Sequence, residues 1–493
     1  MKYISTRNKE HRVSAAQAIE RGIAPDGGLY LPEEIPALSR EEIESLVKED
    51  YVGRAAYVMK KYLDEFTIEE LAACARAAYS RFDGDAAPLV KLEEGFYMLE
   101  LWHGPTLAFK DIALTILPHL LVKSKQKIGE TSETLILVAT SGDTGKAALE
   151  GFRDVAGTSV MVFYPSEGVS PMQKLQMMTQ EGNNVRVFGV KGNFDDCQTA
   201  VKTIFADPGV QKALAERNVK LSSANSINWG RLLPQIVYYV SAYCDLLGEE
   251  QIAFGDKINF CVPTGNFGDI LAGWYAAKMG VPVHKLICAS NTNNVLTDFF
   301  RSGEYNAKRE FYKTMSPSMD ILVSSNLERL LFEISGRDDK LTAERMTALK
   351  EEGKYRISPA ERDALKEIFE AGYLDEDDTI DTMGDFFRDF GYPLDPHTAV
   401  AVGVNAKVAK ANEDDTPVVV LSTANPYKFP QDVFYALTGD DVKDSFRACK
   451  KLFAETAMEV PEAVARLKEL PKRFPDVISR DALKAAVLAF KGE

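Results

Sequence analysis

Between residues 95 and 300 the chain alternates short apolar, β-branched runs with glycine-bearing loops and amphipathic stretches. TLILVAT leads into SGDTG and KAALEGFRD, and SVMVFYP and NVRVFGV follow. INFCVPT then leads into GNFGD and ILAGWYAAKMG, and PVHKLICAS closes the series. Apolar runs of this length bounded by turn residues predict buried strands. Strand, loop and helix in alternation predict an α/β fold, with mostly parallel sheet covered by helices on both faces. Upstream, residues 1–95 join a turn-rich opening, GIAPDGGLYLPEEIP, to helical-period segments such as TIEELAACARAAYSRF, which predict a helical N-terminal unit. The α/β core over 96–300 is interrupted by a polar stretch, 301–395, with the acidic cluster DEDD at 375–378 and no strong strand run, expected to be a helical insertion. The core resumes over 396–430 in DPHTAVAVGVNAKVAK and TPVVVLSTANPYKFP, and 431–493 reads as C-terminal helices.

With 493 residues, 45% hydrophobic and 27% charged, the chain has the composition of ordinary globular domains, which argues against extensive disorder or coiled coil. Its net charge of −15 repels phosphate backbones and anionic lipid, so neither nucleic acid nor membrane is an expected partner. The six cysteines form no C-x-x-C pair and several lie in apolar runs, as expected of buried thiols in a reducing, cytoplasmic setting. No signal-peptide-like apolar segment opens the chain. The five histidines lack ligand spacing, so no metal site is expected. Nothing in the pattern specifies an oligomeric state.

Candidate chemistry gathers in four loops and one lysine. In LWHGPTLAFKDIALTILPHLLV, Lys110 and Asp111 interrupt an apolar run. They are either a neighbouring ion pair on a helix face, or Lys110 is an amine whose charge is suppressed by apolar surroundings, as a Schiff-base lysine requires. SGDTG, with Ser141, Asp143 and Thr144, follows a strand and opens a helix, where free amides receive an anion; a capped turn is the plainer reading. Lys146 follows Gly145, yet the spacing of a nucleotide phosphate loop is missing. PTGNFGD presents Gly265, Asn266, Phe267, Gly268 and Asp269 in the same strand-to-helix position, a second anion cradle. Thr423 ends the apolar run PVVVL, at the strand edge where ligands of open α/β sheets gather. SANSINWGRLLPQ carries Asn225, Ser226, Asn228 and Arg231, either helix-capping groups with a surface arginine or donors to a second phosphate. Two cradles and one apolar-flanked lysine fit a site that holds a phosphorylated cofactor and an anionic substrate together.

HGPTLAFKD, SGDTG, NSINWGR, PTGNFGD and STANP, in this order, together with the opening MKYISTR and APDGGLYLP, resemble the threonine synthases of the longer bacterial and fungal type, from the first residues to about 430. The sequence departs from that pattern at Asn425, where a histidine is expected, and at Tyr427, where a small residue is. The resemblance implies a tryptophan-synthase-β-like fold, two open twisted sheets enclosing pyridoxal 5'-phosphate. It implies that Lys110 carries the cofactor, that residues 265–269 surround its phosphate, and that Thr423 meets its ring nitrogen. The implied reaction turns O-phospho-L-homoserine and water into L-threonine and phosphate, with Lys110 moving the protons. Ser141 and Thr144 would hold the substrate carboxylate, and Asn225, Ser226, Asn228 and Arg231 its phosphate. Asp143 would orient either the loop or the cofactor hydroxyl. The competing expectations are a serine/threonine dehydratase on the same scaffold and a non-catalytic relative.

Overall fold

The computed structural model describes residues 1–490 apart from Ser141 and Gly168. Strands β1 (Lys2–Ser5), β2 (Asn8–Ser14) and β3 (Tyr30–Pro32) form an antiparallel sheet of order β2-β1-β3. The opening is therefore not purely helical as expected: β1 is too short to show a period, yet pairing on both edges buries Tyr3 and Ile4 against the helices that follow. The chain then lays down β4 (Leu89–Glu93) and β5 (Phe96–Glu100), and crosses into a separate sheet through β6 (Glu133–Ala139), β7 (Thr158–Pro165), β8 (Val185–Lys191) and β9 (Val219–Ser222). It returns through β10 (Ile258–Pro263) and β11 (Val283–Ser290), adds a ribbon of β12 (Glu304–Asn306) and β13 (Lys354–Arg356), and continues with β14 (Phe369–Tyr373), β15 (Val418–Ser422) and β16 (Val477–Ser479).

The larger sheet has the order β14-β11-β10-β15-β5-β4, parallel except for the edge pair β4–β5. The smaller sheet, β16-β8-β7-β6-β9, is parallel throughout. Two open, mostly parallel sheets with helices on both faces are the architecture expected. All eight residues of β7 and all six of β10 are buried, which is why these strands read as mostly apolar runs. Two edges depart from expectation. The stretch read as a helical insertion supplies β14, parallel to β11 with Leu286 beside Phe369. The C-terminal stretch read as helices supplies β16, parallel to β8 with Val477 beside Gly189. FEAGY and VIS are edge strands, one holding a glutamate and a glycine and the other only three residues long, so neither carries an apolar run. Among the described residues no helix is long and apolar enough to cross a membrane.

Helix Lys110–Ile128 links the halves. It is buried on almost every side, which accounts for its apolar run, and it lies against helix Asp143–Phe152. Contact there is close because of Gly151, where a Cβ would stand 2.0 Å from the carbonyl oxygen of Leu114.

Candidate active site

The carboxyl ends of β6, β10 and β15 and the start of helix Lys110–Ile128 converge on a cavity of about 1310 Å³ between the two sheets. Lys110, Asp143, Thr144, Asn225, Ser226, Asn228, Arg231, Gly265, Asn266, Phe267, Gly268, Asp269 and Thr423 all line it. Every described site residue expected from the sequence is thus brought to one place; Ser141 lies outside the described residues.

Lys110 opens its helix, and its Nζ donates to Ser318 Oγ at 3.0 Å. Burial strips the ammonium of water and, against the carboxylate of Asp143, brings its pKa down to about 8. Asp111 is no partner for it. That carboxylate accepts from the amide (2.7 Å) and hydroxyl (2.6 Å) of Thr106, and burial raises its pKa to about 6. The plain reading of a Lys–Asp pair on a helix face is therefore excluded by geometry.

The loop after β10 is a cradle. Its carbonyls are occupied: Gly265 O accepts from Ser324 Oγ at 2.6 Å, and Asn266 O from the Asn326 amide at 3.1 Å. The amides of residues 265–269 find no acceptor among the described residues. Phe267 turns this loop at φ +65° and drops its own ring into the core beside Phe300 and Phe369. A Cβ on Gly265 would stand 2.7 Å from the carbonyl oxygen of Ser318, so only glycine leaves the cradle open. Asp269 accepts from the hydroxyls of Tyr238 (2.5 Å) and Tyr239 (2.8 Å), and burial lifts its pKa to about 6. Five amides without acceptors among the described residues, in one cavity with a desolvated amine, suit a phosphate-bearing aldehyde.

Arg231 is the second anion-seeking group. It is buried, its NH1 donates to the carbonyl of Ala224 at 2.7 Å, no carboxylate pairs with it among the described residues, and burial lowers its pKa to about 10. Asn228 stands differently: its Oδ1 caps the helix through Gly230 N at 2.8 Å and its Nδ2 donates to Ile19 O at 3.0 Å, so its amide serves the fold. The hydroxyl of Thr423 has no partner among the described residues, while its amide donates to Thr398 Oγ1 at 3.3 Å. Asp143 forms a buried ion pair with Lys428 at 3.0 Å; burial opposes its charge, but Lys428 and Lys110 outweigh it and hold the carboxyl at about 2. Lys146, beside the glycine loop, turns away to Glu150 at 2.9 Å, as the absence of nucleotide-loop spacing implied. Asn425 and Tyr427, the two departures, do not line the cavity: Asn425 Oδ1 accepts from the Tyr427 amide at 2.9 Å, and the Tyr427 ring is buried.

Sequence reasoning missed Ser318, His397 and Lys428. Lys428 lies in the quoted STANPYKFP and His397 follows the helix-capping Asp395, so each had a local signal; Ser318, in the insertion, had none.

This lysine, amide cradle and sheet junction define a class, the pyridoxal-phosphate enzymes built on two open sheets. A family model described as "Pyridoxal-phosphate dependent enzyme" matches residues 85–424, flanked by "Threonine synthase N terminus" over 2–79 and "Threonine synthase, C-terminal" over 398–487. The threonine synthase of Pseudomonas aeruginosa is 41% identical over 435 residues, 88% of this chain and 90% of that one. The human protein named threonine synthase-like 1 is 41% identical over 464 residues, 90% of this chain, and the chain spans 62% of that relative's length. Among solved structures, the pyridoxal-phosphate-bound threonine synthase of Brucella melitensis superposes with a TM-score of 0.89 at 38% identity, covering 99% of each chain. The yeast threonine synthase gives 0.89 at 34% identity, covering 100% of this chain and 98% of its own. The chain belongs to the threonine synthase family.

Proposed function

We propose that this chain is a threonine synthase in activity: with pyridoxal 5'-phosphate on Lys110 it converts O-phospho-L-homoserine and water into L-threonine and phosphate, the last step of threonine biosynthesis. The observation that carries this reading is Arg231, a buried guanidinium without a counter-charge among the described residues, in the same cavity as Lys110 and the amide cradle. A cofactor phosphate satisfies the cradle, and a second phosphate is what Arg231 lacks.

The residues fit the cofactor. Gly265, Asn266, Phe267, Gly268 and Asp269 would hold its phosphate through their amides, Thr423 would face its ring nitrogen, and Lys110 would bear it. When bound, the cofactor supplies an electron sink for charge developing on substrate carbon, a mild one where a hydroxyl rather than a carboxylate faces the ring. Lys110 moves the protons: with its pKa near 8 an appreciable fraction of the amine is neutral at physiological pH, able to take a proton from Cα, give it back to the substrate–cofactor framework and, neutral again, take one from Cβ. Arg231, with Asn225 and Ser226 at the same wall, binds the phosphate that departs from Cγ. Ser141 and Thr144 would hold the substrate carboxylate. Asp143, locked to Lys428, orients that loop. Asn228, engaged in the fold, supports the wall on which Arg231 stands.

A serine/threonine dehydratase needs no second phosphate seat, which disfavours the alternative. Phosphate release from O-phospho-L-homoserine, measured against keto-acid formation from threonine, separates them. Cofactor-dependent phosphate release with threonine as product supports the proposal; keto acid as the main product would refute it. The same reading assigns the enzyme to the cytoplasm, supported by six cysteines without disulfide partners.

A further inference from the structure

Among the described residues Lys110 Nζ has one hydrogen-bond partner, the Ser318 hydroxyl. Ser318 stands in the short turn Pro317–Met319, in the stretch that separates β12 from β13, and this turn is fixed from three directions. Its amide donates to His397 Nε2 at 3.1 Å. Its carbonyl oxygen abuts Gly265 in the amide cradle. Just beyond it, Asp320 accepts from Thr314 N (2.9 Å), Thr314 Oγ1 (2.7 Å), Asn291 Nδ2 (2.9 Å) and Asn293 Nδ2 (3.0 Å), which locks the turn to the loop after β11.

His397 is itself held. Because Nε2 accepts from the Ser318 amide, the ring proton sits on Nδ1, facing Asp395 Oδ1 at 2.8 Å. Asp395 is buried and also caps helix Pro396–Asn412, accepting from the amides of His397 (2.9 Å) and Thr398 (3.3 Å). A carboxylate, an imidazole and a backbone amide thus line up behind a single hydroxyl, and that hydroxyl touches the reacting amine. The charged groups that face Lys110, namely Asp143, Lys428, Arg231, Asp111 and Asp269, act on it across space, and none hydrogen-bonds it. They influence its charge; among the described residues the Ser318 hydroxyl is the one hydrogen-bond anchor of Nζ, which also lies 4.9 Å from the centre of the Phe109 ring.

We propose that Ser318 is a catalytic residue of this site, holding Lys110 Nζ in the cavity whenever the amine is out of covalent linkage, and that His397 and Asp395 are positioning residues acting through the Ser318 amide. The inference rests on the reading of Lys110 as the reacting amine. When Lys110 takes a proton from substrate, the new ammonium donates to Ser318 Oγ; no bond to Ser318 is made or broken, and the proton stays on nitrogen until it is returned. A free amine on a four-carbon stem samples many positions, and an anchor keeps it at the distance proton transfer requires.

The test uses the full-length chain and two readouts: steady-state kcat and KM, and the rate at which added pyridoxal phosphate couples covalently to the cofactor-free chain, followed by absorbance. Ser318→Ala is expected to lower both kcat and the coupling rate by roughly tenfold to 100-fold, with KM within about twofold. Ser318→Thr, which keeps a hydroxyl, recovers much of the loss. His397→Ala lowers kcat similarly, His397→Gln less so because an acceptor for the Ser318 amide remains, and the double variant Ser318→Ala/His397→Ala is no worse than Ser318→Ala. Wild-type coupling and kcat in Ser318→Ala, with cofactor on Lys110, would overturn this inference and leave the functional reading standing. An unaltered chain that takes up no cofactor at Lys110 would overturn that reading and this inference with it.

Discussion

Lys110 owes its reactivity to what surrounds it rather than to its neighbour in the chain. Burial lowers its pKa to about 8, and Asp111, which could have restored the charge, is turned to Thr106. An amine attacks an aldehyde only when neutral, so coupling of added cofactor to the cofactor-free chain should accelerate as pH rises through about 8 and level off above it. A stopped-flow profile that keeps climbing into the range of an ordinary lysine, above about 10, would show that the amine is not buried as described. Arg231 makes a second prediction. Replacing it with Gln should raise KM for O-phospho-L-homoserine by roughly tenfold to 100-fold, the scale of a lost hydrogen bond to a charged group, while cofactor absorbance stays unchanged. At this scale the sequence was legible where chemistry leaves an odd residue in a regular pattern: a lysine in an apolar run, an arginine among amides. Ser318 left no such mark. A serine in a polar stretch is ordinary, and it becomes informative only when the fold brings residues 110, 265, 318 and 397 together.

Elements carry these residues through close approaches that glycine permits. Gly265→Ala would place a methyl 2.7 Å from the Ser318 carbonyl, and the cradle would have to move. Cofactor binding, measured by equilibrium dialysis, should weaken by roughly tenfold, in line with about 1–3 kcal/mol for overpacking a tight site. Gly151→Ala strikes the contact between helices Lys110–Ile128 and Asp143–Phe152, where the added Cβ would meet the Leu114 carbonyl at 2.0 Å. Thermal unfolding should register a loss of about 1–3 kcal/mol even without cofactor. The strands that hold the site were legible because they are buried on both faces: β6, β7, β10 and β15 are apolar throughout or nearly so. The edges were not. FEAGY and VIS become strands by pairing with β11 and β8, a tertiary fact with no local period.

Across the whole molecule, the two sheets meet at the site and are tied there by the buried pair Asp143–Lys428, one partner following β6 and the other following β15. The Asp143 carboxyl is held at about 2, below the ordinary unfolded value near 4. Its contribution to stability is therefore complete above about pH 4 and is lost as pH falls from 4 toward 2. Lys428→Met leaves Asp143 buried without its cation, and should cost several kcal/mol in chemical denaturation, roughly 3–5. Lys428→Met combined with Asp143→Asn should cost less than the sum of the two single changes. Arg329 ties the N-terminal sheet to the same region, donating from Nε to Tyr30 O at 2.9 Å and from NH1 to Asn326 Oδ1 at 2.6 Å beside the cradle. The account as a whole stands on the covalent partner of the cofactor. Borohydride reduction of the purified holoenzyme, followed by proteolysis and mass spectrometry, should find the pyridoxyl group on the peptide containing Lys110, and Lys110→Ala should abolish it. A pyridoxyl group on another lysine such as Lys428 or Lys146, or no labelled peptide after reconstitution, would contradict it.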